Sequence, residues 1–154
     1  MIRDLLRFIN AQNGIYSGYP SYADALADFT NYGHKIGHWI WYIFPQLEHE
    51  FPGQSYNNRY FGIQGIEEAT AYIKNEKLGK RLLEISSMVL KLESNDPNYV
   101  MGSHIDAKKL CSCMTLFSIV APEQTVFCAV LNKYFGDKRC EWTLEKLKNK
   151  LTIQ

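Results

Sequence analysis

The sequence predicts an all-α fold, a compact single-domain helical bundle of about six to eight helices with irregular topology, spanning residues 1–154. Three observations carry this. Apolar residues recur at helical spacing, most clearly at Leu78, Leu82, Ile85, Val89 and Leu92, which fall at i, i+4, i+7, i+11 and i+14. Strand-type alternation never persists long enough to compete. No repeat, low-complexity tract or Pro/Gly/Ser-rich linker divides the 154 residues, a length that closes one substantial core.

The elements follow in order. Leu5 and Ile9 begin a short helix that stops near Asn13-Gly14. Ser21 followed by Asp24 resembles a capping box opening a helix through Tyr32, and Gly33 suits its C′ position. The stretch GHKIGHWIWYIFPQL, Gly33 to Leu47, makes a short aromatic helix that should end before Pro45. Residues 48–60 read as loop, and Ile66 to Lys74 as a short helix. Asn95-Asp96-Pro97 breaks the long amphipathic helix, and another runs from about Ile105 to Val120. Pro122 opens one carrying Val126, Phe127, Val130, Leu131 and Tyr134, closed by Gly136; Leu144, Leu147 and Leu151 mark the last.

Charge narrows the partners. With 17 basic and 16 acidic residues the formal charge is +1, which argues against duplex nucleic acid or an anionic membrane as the main partner. Both need a concentrated basic face, whereas a local basic pocket is compatible with this balance. MIRDLLRFIN has charges among its apolar residues and no secretory pattern. The longest uncharged stretch, Leu110 to Pro122, is shorter than the ~18–20 residues of a spanning helix. Cysteines at 111, 113, 128 and 140 lack the paired spacing of a disulfide scaffold, so reduced thiols and a cytoplasmic location are expected. Nothing in the residues sets an oligomeric state.

Two segments embed polar groups in apolar runs. In DAKKLCSCMTLFSIVA, Asp106 to Ala121, the helix is apolar nearly all round after Lys109, which marks a central, surrounded element. Ser112 and Thr115 are then buried or face a cavity. A buried hydroxyl most often bonds the carbonyl one turn back; alternatively Lys108, Ser112 and Thr115, at i, i+4 and i+7, line a polar pocket. In the stretch from Gly33, Lys35 and His38 stand one helical turn apart, beside the flat faces of Trp39, Trp41 and Phe44, and Gln46 follows the proline. Such rings beside a lysine and an imidazole can stack a base and hold a phosphate or ribose. The plainer reading makes Trp39 and Phe44 core, Trp41 half-buried, and His38 a donor to a backbone carbonyl.

Because unpaired buried polar groups are costly, the clustering favours a site that binds a small anionic metabolite of nucleotide or ADP-ribose type. Lys35 and His38 are the candidates for charge and proton chemistry, Trp41 for a flat wall, and Gln46, Ser112 and Thr115 for orienting hydrogen bonds. Lys109 is the second phosphate contact. If the ligand is turned over, the reaction is hydrolysis with His38 as general base, since histidine titrates near neutrality. The rival is a non-catalytic interaction module whose aromatic surface docks a protein. No metal site is expected, because Cys111 and Cys113 do not have zinc-ligand spacing. A Cys–His nucleophile has no local signature, and neither a Walker loop, G-x-G-x-x-G nor HExxH occurs, so no cofactor is expected.

Five blocks carry a resemblance: RF-x₃-Q (Arg7, Phe8, Gln12), HW-x-W-x-x-FPQL (His38 to Leu47), LG-x-RL (Leu78 to Leu82), KL-x-S-x-MTLF (Lys109 to Phe117) and VL-x-x-YFG (Val130 to Gly136). Together they resemble the mostly bacterial family catalogued as domain of unknown function 1810, in the right order over nearly the whole chain. The resemblance implies a small, mostly α-helical domain and carries no established activity. Members are sometimes labelled calpastatin-like, but calpastatin inhibitory regions are disordered whereas this chain is patterned for a core. Cys113 departs from the family pattern, which often has serine there; a catalytic hydroxyl at that position would be missing here. Glu48 to Tyr60 also departs, with Phe51-Pro52-Gly53 in place of a shorter Gly-containing turn.

Overall fold

Local hydrogen bonding sets most helix ends in the computed structural model, which describes residues 4–49 and 53–153, with side chains through Asn149. Ten helices follow one another among the described residues: α1 (Leu6–Gln12), α2 (Tyr22–Tyr32), α3 (Ile40–Ile43), α4 (Tyr56–Tyr60), α5 (Ile66–Lys74), α6 (Glu76–Lys91), α7 (Pro97–Val100), α8 (His104–Val120), α9 (Val126–Phe135) and α10 (Glu141–Ile153). The capping box opens α2, with Ser21 Oγ accepting the Asp24 N–H at 3.1 Å and Asp24 Oδ2 accepting the Ser21 N–H at 2.8 Å. Gly33 closes it in the left-handed region at φ 76°. Seven helices of seven residues or more satisfy the predicted number; α3, α4 and α7 are single turns.

α8 is the central element. Ala107, Leu110 and every residue from Ser112 to Ser118 are buried on it, and α5, α7, α9 and α10 pack around it. That surrounds the helix from Ser112 to Ser118, as its apolar run predicts, while its first turns stay partly exposed. α6 lays its Leu78, Leu82, Ile85 and Val89 stripe on the same core, against α5 and α9. At the α5–α6 corner Asn75 ends one helix and caps the next, its Oδ1 accepting the N–H groups of Lys77 and Leu78.

Four local features differ from expectation. The aromatic helix is only the single turn Ile40–Ile43, and Lys35 and His38 precede it in non-helical backbone. They are therefore not related by a helical turn. The cause is Asp28, whose Oδ2 accepts the N–H groups of Ile36 at 3.0 Å and Gly37 at 2.9 Å and the Trp39 indole N–H at 2.9 Å. A carboxylate that gathers successive N–H groups offers the backbone an alternative to the helix. The 48–60 stretch is not all loop: Ser55 Oγ accepts the Asn58 N–H at 3.1 Å and starts α4. After the Asn95-Asp96-Pro97 break, Asp96 caps the extra turn α7, with proline in its first turn. Pro122 lies in a turn, and α9 starts only at Val126. Phe51, Pro52 and the Leu151 side chain lie outside the described residues.

The RF-x₃-Q block has a structural explanation. The Arg7 guanidinium donates to the carbonyls of Tyr60 at 2.7 Å and Gly62 at 3.1 Å and pairs with Glu68 at 2.9 Å. Gln12 donates to the Tyr42 carbonyl at 2.8 Å and the Tyr72 hydroxyl at 3.1 Å. Both residues stitch α1 to non-helical or short segments whose backbone groups need partners. No strand occurs among the described residues, and none of their helices is long and apolar enough to cross a membrane.

Candidate functional site

The FPQL block builds one wall. Phe44, Pro45 and Leu47 are buried, and the segment pairs with Ile63 as an isolated parallel bridge. Ile63 donates its N–H to the Gln46 carbonyl and accepts the Glu48 N–H, both at 2.9 Å. With Pro45 and Leu47 turned inward, Gln46 faces a cleft of about 660 Å³. Gln54 and Asn58, at the start of α4, extend the same wall, and His49 continues it.

The second wall is the first half of α8, where helical spacing puts His104, Ile105, Lys108, Lys109, Cys111 and Ser112 along the cleft. The third is the start of α10, which contributes Cys140, Glu141 and Trp142. Thr115 holds the second and third walls together. Its hydroxyl donates to the Cys111 carbonyl at 2.8 Å and accepts the Cys140 N–H at 3.0 Å. It is fully buried and lies beneath the cleft rather than along it. Ser112 reaches the cleft and shares a 2.8 Å hydrogen bond with the Thr143 hydroxyl.

Lys109 is the most informative of the expected residues. Its Nζ lies 3.4 Å from Asn58 Oδ1 and 5.5 Å from the Trp41 ring centroid. Among the described residues no carboxylate comes within ion-pair distance of it. Burial holds its pKa below the usual lysine value; Asp106 opposes that shift and Lys35 adds to it. The space between Lys109, Trp41, Gln46 and Asn58 is only about 10 Å³, so ring and ammonium are packed together and Trp41 backs the lysine.

Lys35 and His38 are placed elsewhere. Lys35 is 6% exposed, and its Nζ pairs with Asp106 Oδ2 at 2.8 Å and lies 5.1 Å from the Trp39 ring centroid. It braces the turn against α8 from behind the cleft. His38 is exposed and is not among the lining residues. The structure thus brings Gln46, Lys109 and Ser112 to one cleft, with Trp41 adjoining, and leaves Lys35, His38 and Thr115 outside it.

Three neighbours had no sequence signal. The His49 ring stacks on Trp142 at 3.7 Å and 9°, and Lys146 Nζ lies 5.4 Å from the same indole. Burial pulls the His49 pKa down, and the charges of Lys146 and Lys109 add to this, which favours a neutral imidazole. His49 and Asn58 sit in an irregular, polar stretch where no periodicity ranks one residue above another, and Trp142 reads as an ordinary apolar position on the last helix.

The thiols are not activated. Cys111 is pushed up to about 11 by burial and by Cys140 beside it, with Thr115 opposing, and burial raises Cys113 well above the usual thiol value. Both stay protonated near neutrality, so neither has the character of a nucleophilic thiolate.

A crystal structure with the same architecture is that of the conserved hypothetical protein Rv1873 from Mycobacterium tuberculosis. It is 34% identical, the match covers 94% of this chain and 96% of that one, and the TM-score is 0.83. Among curated proteins no match was found. The model of the family described as "Protein of unknown function (DUF1810)" matches residues 2–147, and the chain belongs to that family.

Proposed function

We propose that the cleft binds a small anionic ligand, a phosphate-bearing metabolite of nucleotide or ADP-ribose type. The observation that carries this reading is Lys109, a half-buried ammonium at the cleft with no carboxylate partner among the described residues. Removing such a charge from water without a counter-charge is unfavourable, and a bound anion would offset that cost. Lys108 lies one residue away on the same wall, and Glu141 is the single carboxylate among the described lining residues. Gln46 and Ser112 orient the ligand, Trp41 steadies Lys109, and Lys35 and Thr115 hold the walls. His38 stands outside the lining, so the reading is of binding and assigns no hydrolytic step.

A thermal-shift screen with nucleotides, ADP-ribose and sugar phosphates tests it. A ligand at one hundred times its dissociation constant adds about 2.7 kcal/mol. Lys109→Ala should abolish the shift and His38→Ala should leave it. A panel in which nothing stabilises the protein would remove the reading.

A second reading, a non-catalytic interaction module, is favoured by a different place. Ile15 and Tyr56, 63% and 64% exposed, flank a groove of about 360 Å³ lined also by Tyr16, Tyr19, Tyr60 and Phe61. An exposed tyrosine beside half-buried ones on a concave surface suits a protein partner. Under that reading Tyr56→Ala abolishes partner capture while Lys109→Ala does not.

A further inference from the structure

The cleft has two chemically different sides. On the α8 side stand Lys108 and Lys109. The adjoining wall carries the carboxamides of Gln46, Gln54 and Asn58, and the two meet where Lys109 Nζ lies 3.4 Å from Asn58 Oδ1. Side-chain amides near this wall but outside the cleft are consumed by the protein. Gln12 donates to Tyr42 and Tyr72, Asn57 accepts from Tyr19 at 2.9 Å, and Gln64 donates to Glu48 at 2.6 Å. The cleft amides are not. Gln46 and Gln54 make no side-chain hydrogen bond to any described residue, and Asn58 gives only its oxygen to Lys109, keeping both amide protons.

Gln46 is also rigidly mounted. Its carbonyl is fixed by Ile63, the following residue is fully buried, and Arg7 in turn fixes the carbonyls of Tyr60 and Gly62 on the partner segment. A carboxamide carried on a fixed backbone, its own donors and acceptor uncommitted, offers an acceptor beside a donor in one plane, the complement of the donor–acceptor edge of a nucleobase. Ile105 adds a third feature. It lines the cleft at 67% exposure, an apolar surface available to a flat ring. Inorganic phosphate would use the lysines alone, and a sugar phosphate would give its hydroxyls to the amides but leave this apolar surface uncovered.

We infer that the cleft is a nucleoside-phosphate site, in which Gln46 and Gln54 read the edge of the base, Ile105 covers its face, and Lys108 and Lys109 hold the phosphate. This rests on the reading that the cleft binds an anion, and it adds that the base, not the phosphate alone, is recognised.

Calorimetric titrations of the full chain with the 5′-monophosphates of adenosine, cytidine, guanosine and uridine, with ribose 5-phosphate and with inorganic phosphate separate the two claims. At least one nucleotide should bind about tenfold or more tightly than ribose 5-phosphate, the discrimination expected of one good bidentate contact. Gln46→Leu and Gln54→Leu should weaken the preferred nucleotide more than ribose 5-phosphate, reducing that preference, with the melting temperature unchanged. Lys109→Met should weaken every phosphate ligand. If ribose 5-phosphate binds as tightly as all four nucleotides, base recognition is wrong and anion binding survives; if the glutamine variants keep the preference, Gln46 and Gln54 do not read the base and the proposal falls at those residues. If no probe binds, both fall.

Discussion

Lys35 Nζ lies 2.8 Å from Asp106 Oδ2, so a lysine that sequence context offers to a phosphate is instead bonded to the first turn of α8. The same pair explains the neighbourhood of the two informative segments. It ties the aromatic turn to the central helix, with the Trp39 ring 5.1 Å from the ammonium. Lys109, one turn along α8 from Asp106, then faces the cleft without that carboxylate as a close partner.

Lys35→Ala should therefore act on stability. The lysine and aspartate side chains are 5% and 18% exposed, and removing one member leaves the other charge buried, a loss of about 3 kcal/mol. Equilibrium urea denaturation measures it. Lys35→Met combined with Asp106→Leu should recover most of the loss, because neither charge is then stranded. A Lys35→Ala protein as stable as the parent contradicts the buried pair.

Lys109→Met should separate binding from folding. The substitution loses a cation–π contact with Trp41 and relieves a desolvated ammonium, so stability should change by no more than about 1 kcal/mol in either direction. Phosphate-bearing ligands should bind about tenfold to a hundredfold more weakly, the value of a charged hydrogen bond. The opposite pattern, a large loss of stability with unchanged affinity, would make Lys109 a structural residue.

Much of the fold is legible from side-chain period because packing and period are the same fact on a long helix. Ile66–Lys74 and the stripe from Leu78 need only their own residues to be identified. The turn from Gly33 to Trp39 is not legible in that way, because its backbone is bent by Asp28, a carboxylate eight to eleven residues upstream. Site legibility divides similarly. Gln46, Lys109 and Ser112 stand out as polar groups within apolar runs and do reach one cleft. Thr115 carries the same signal but spends its hydroxyl on backbone, and sequence spacing cannot separate a hydroxyl that faces a cleft from one turned toward its own helix. Trp142 and His49 meet only through the packing of α10 against the rest of the core.

Gly79→Ala should reverse the usual effect of the exchange. Alanine is the better helix former by about 1 kcal/mol in an exposed helix interior. At Gly79 an added Cβ would lie 2.1 Å from the Ile73 carbonyl oxygen, a backbone atom that cannot swing aside. The α5–α6 corner would have to open, for a net loss of about 2 kcal/mol or more in chemical denaturation. A neutral or stabilising Gly79→Ala would mean that the two helices do not approach this closely.

Thiol modification at pH 8 should rank the cysteines. Cys128 is exposed and should react first with a disulfide reagent. Cys111, pushed up to about 11, should lag, and Cys113, fully buried, should react only as fast as the protein unfolds. Stopped-flow kinetics on single-cysteine variants gives the order, and early reaction of Cys113 contradicts its place in the core.

Acid should unfold the protein partly through Asp28. Burial alone would raise its pKa, but the N–H of Gly37, the indole of Trp39, the N–H of Ile36 and the charge of Lys35 outweigh it, and the value lies below the ordinary carboxylate range. The folded state therefore favours the ionised form. Its stabilisation is fully present above the unfolded-state value of about 3.9 and is lost as pH falls from there through the lower folded-state pKa. Melting temperature followed from pH 6 down to pH 2 should decline in that window. Asp28→Asn, which carries no titrating charge and leaves a weaker acceptor for three donors, should be less stable at pH 6 and should show a shallower acid limb. An unchanged acid limb in Asp28→Asn would place the titrating carboxylate elsewhere and leave the bend at Ile36-Gly37 without its electrostatic cause.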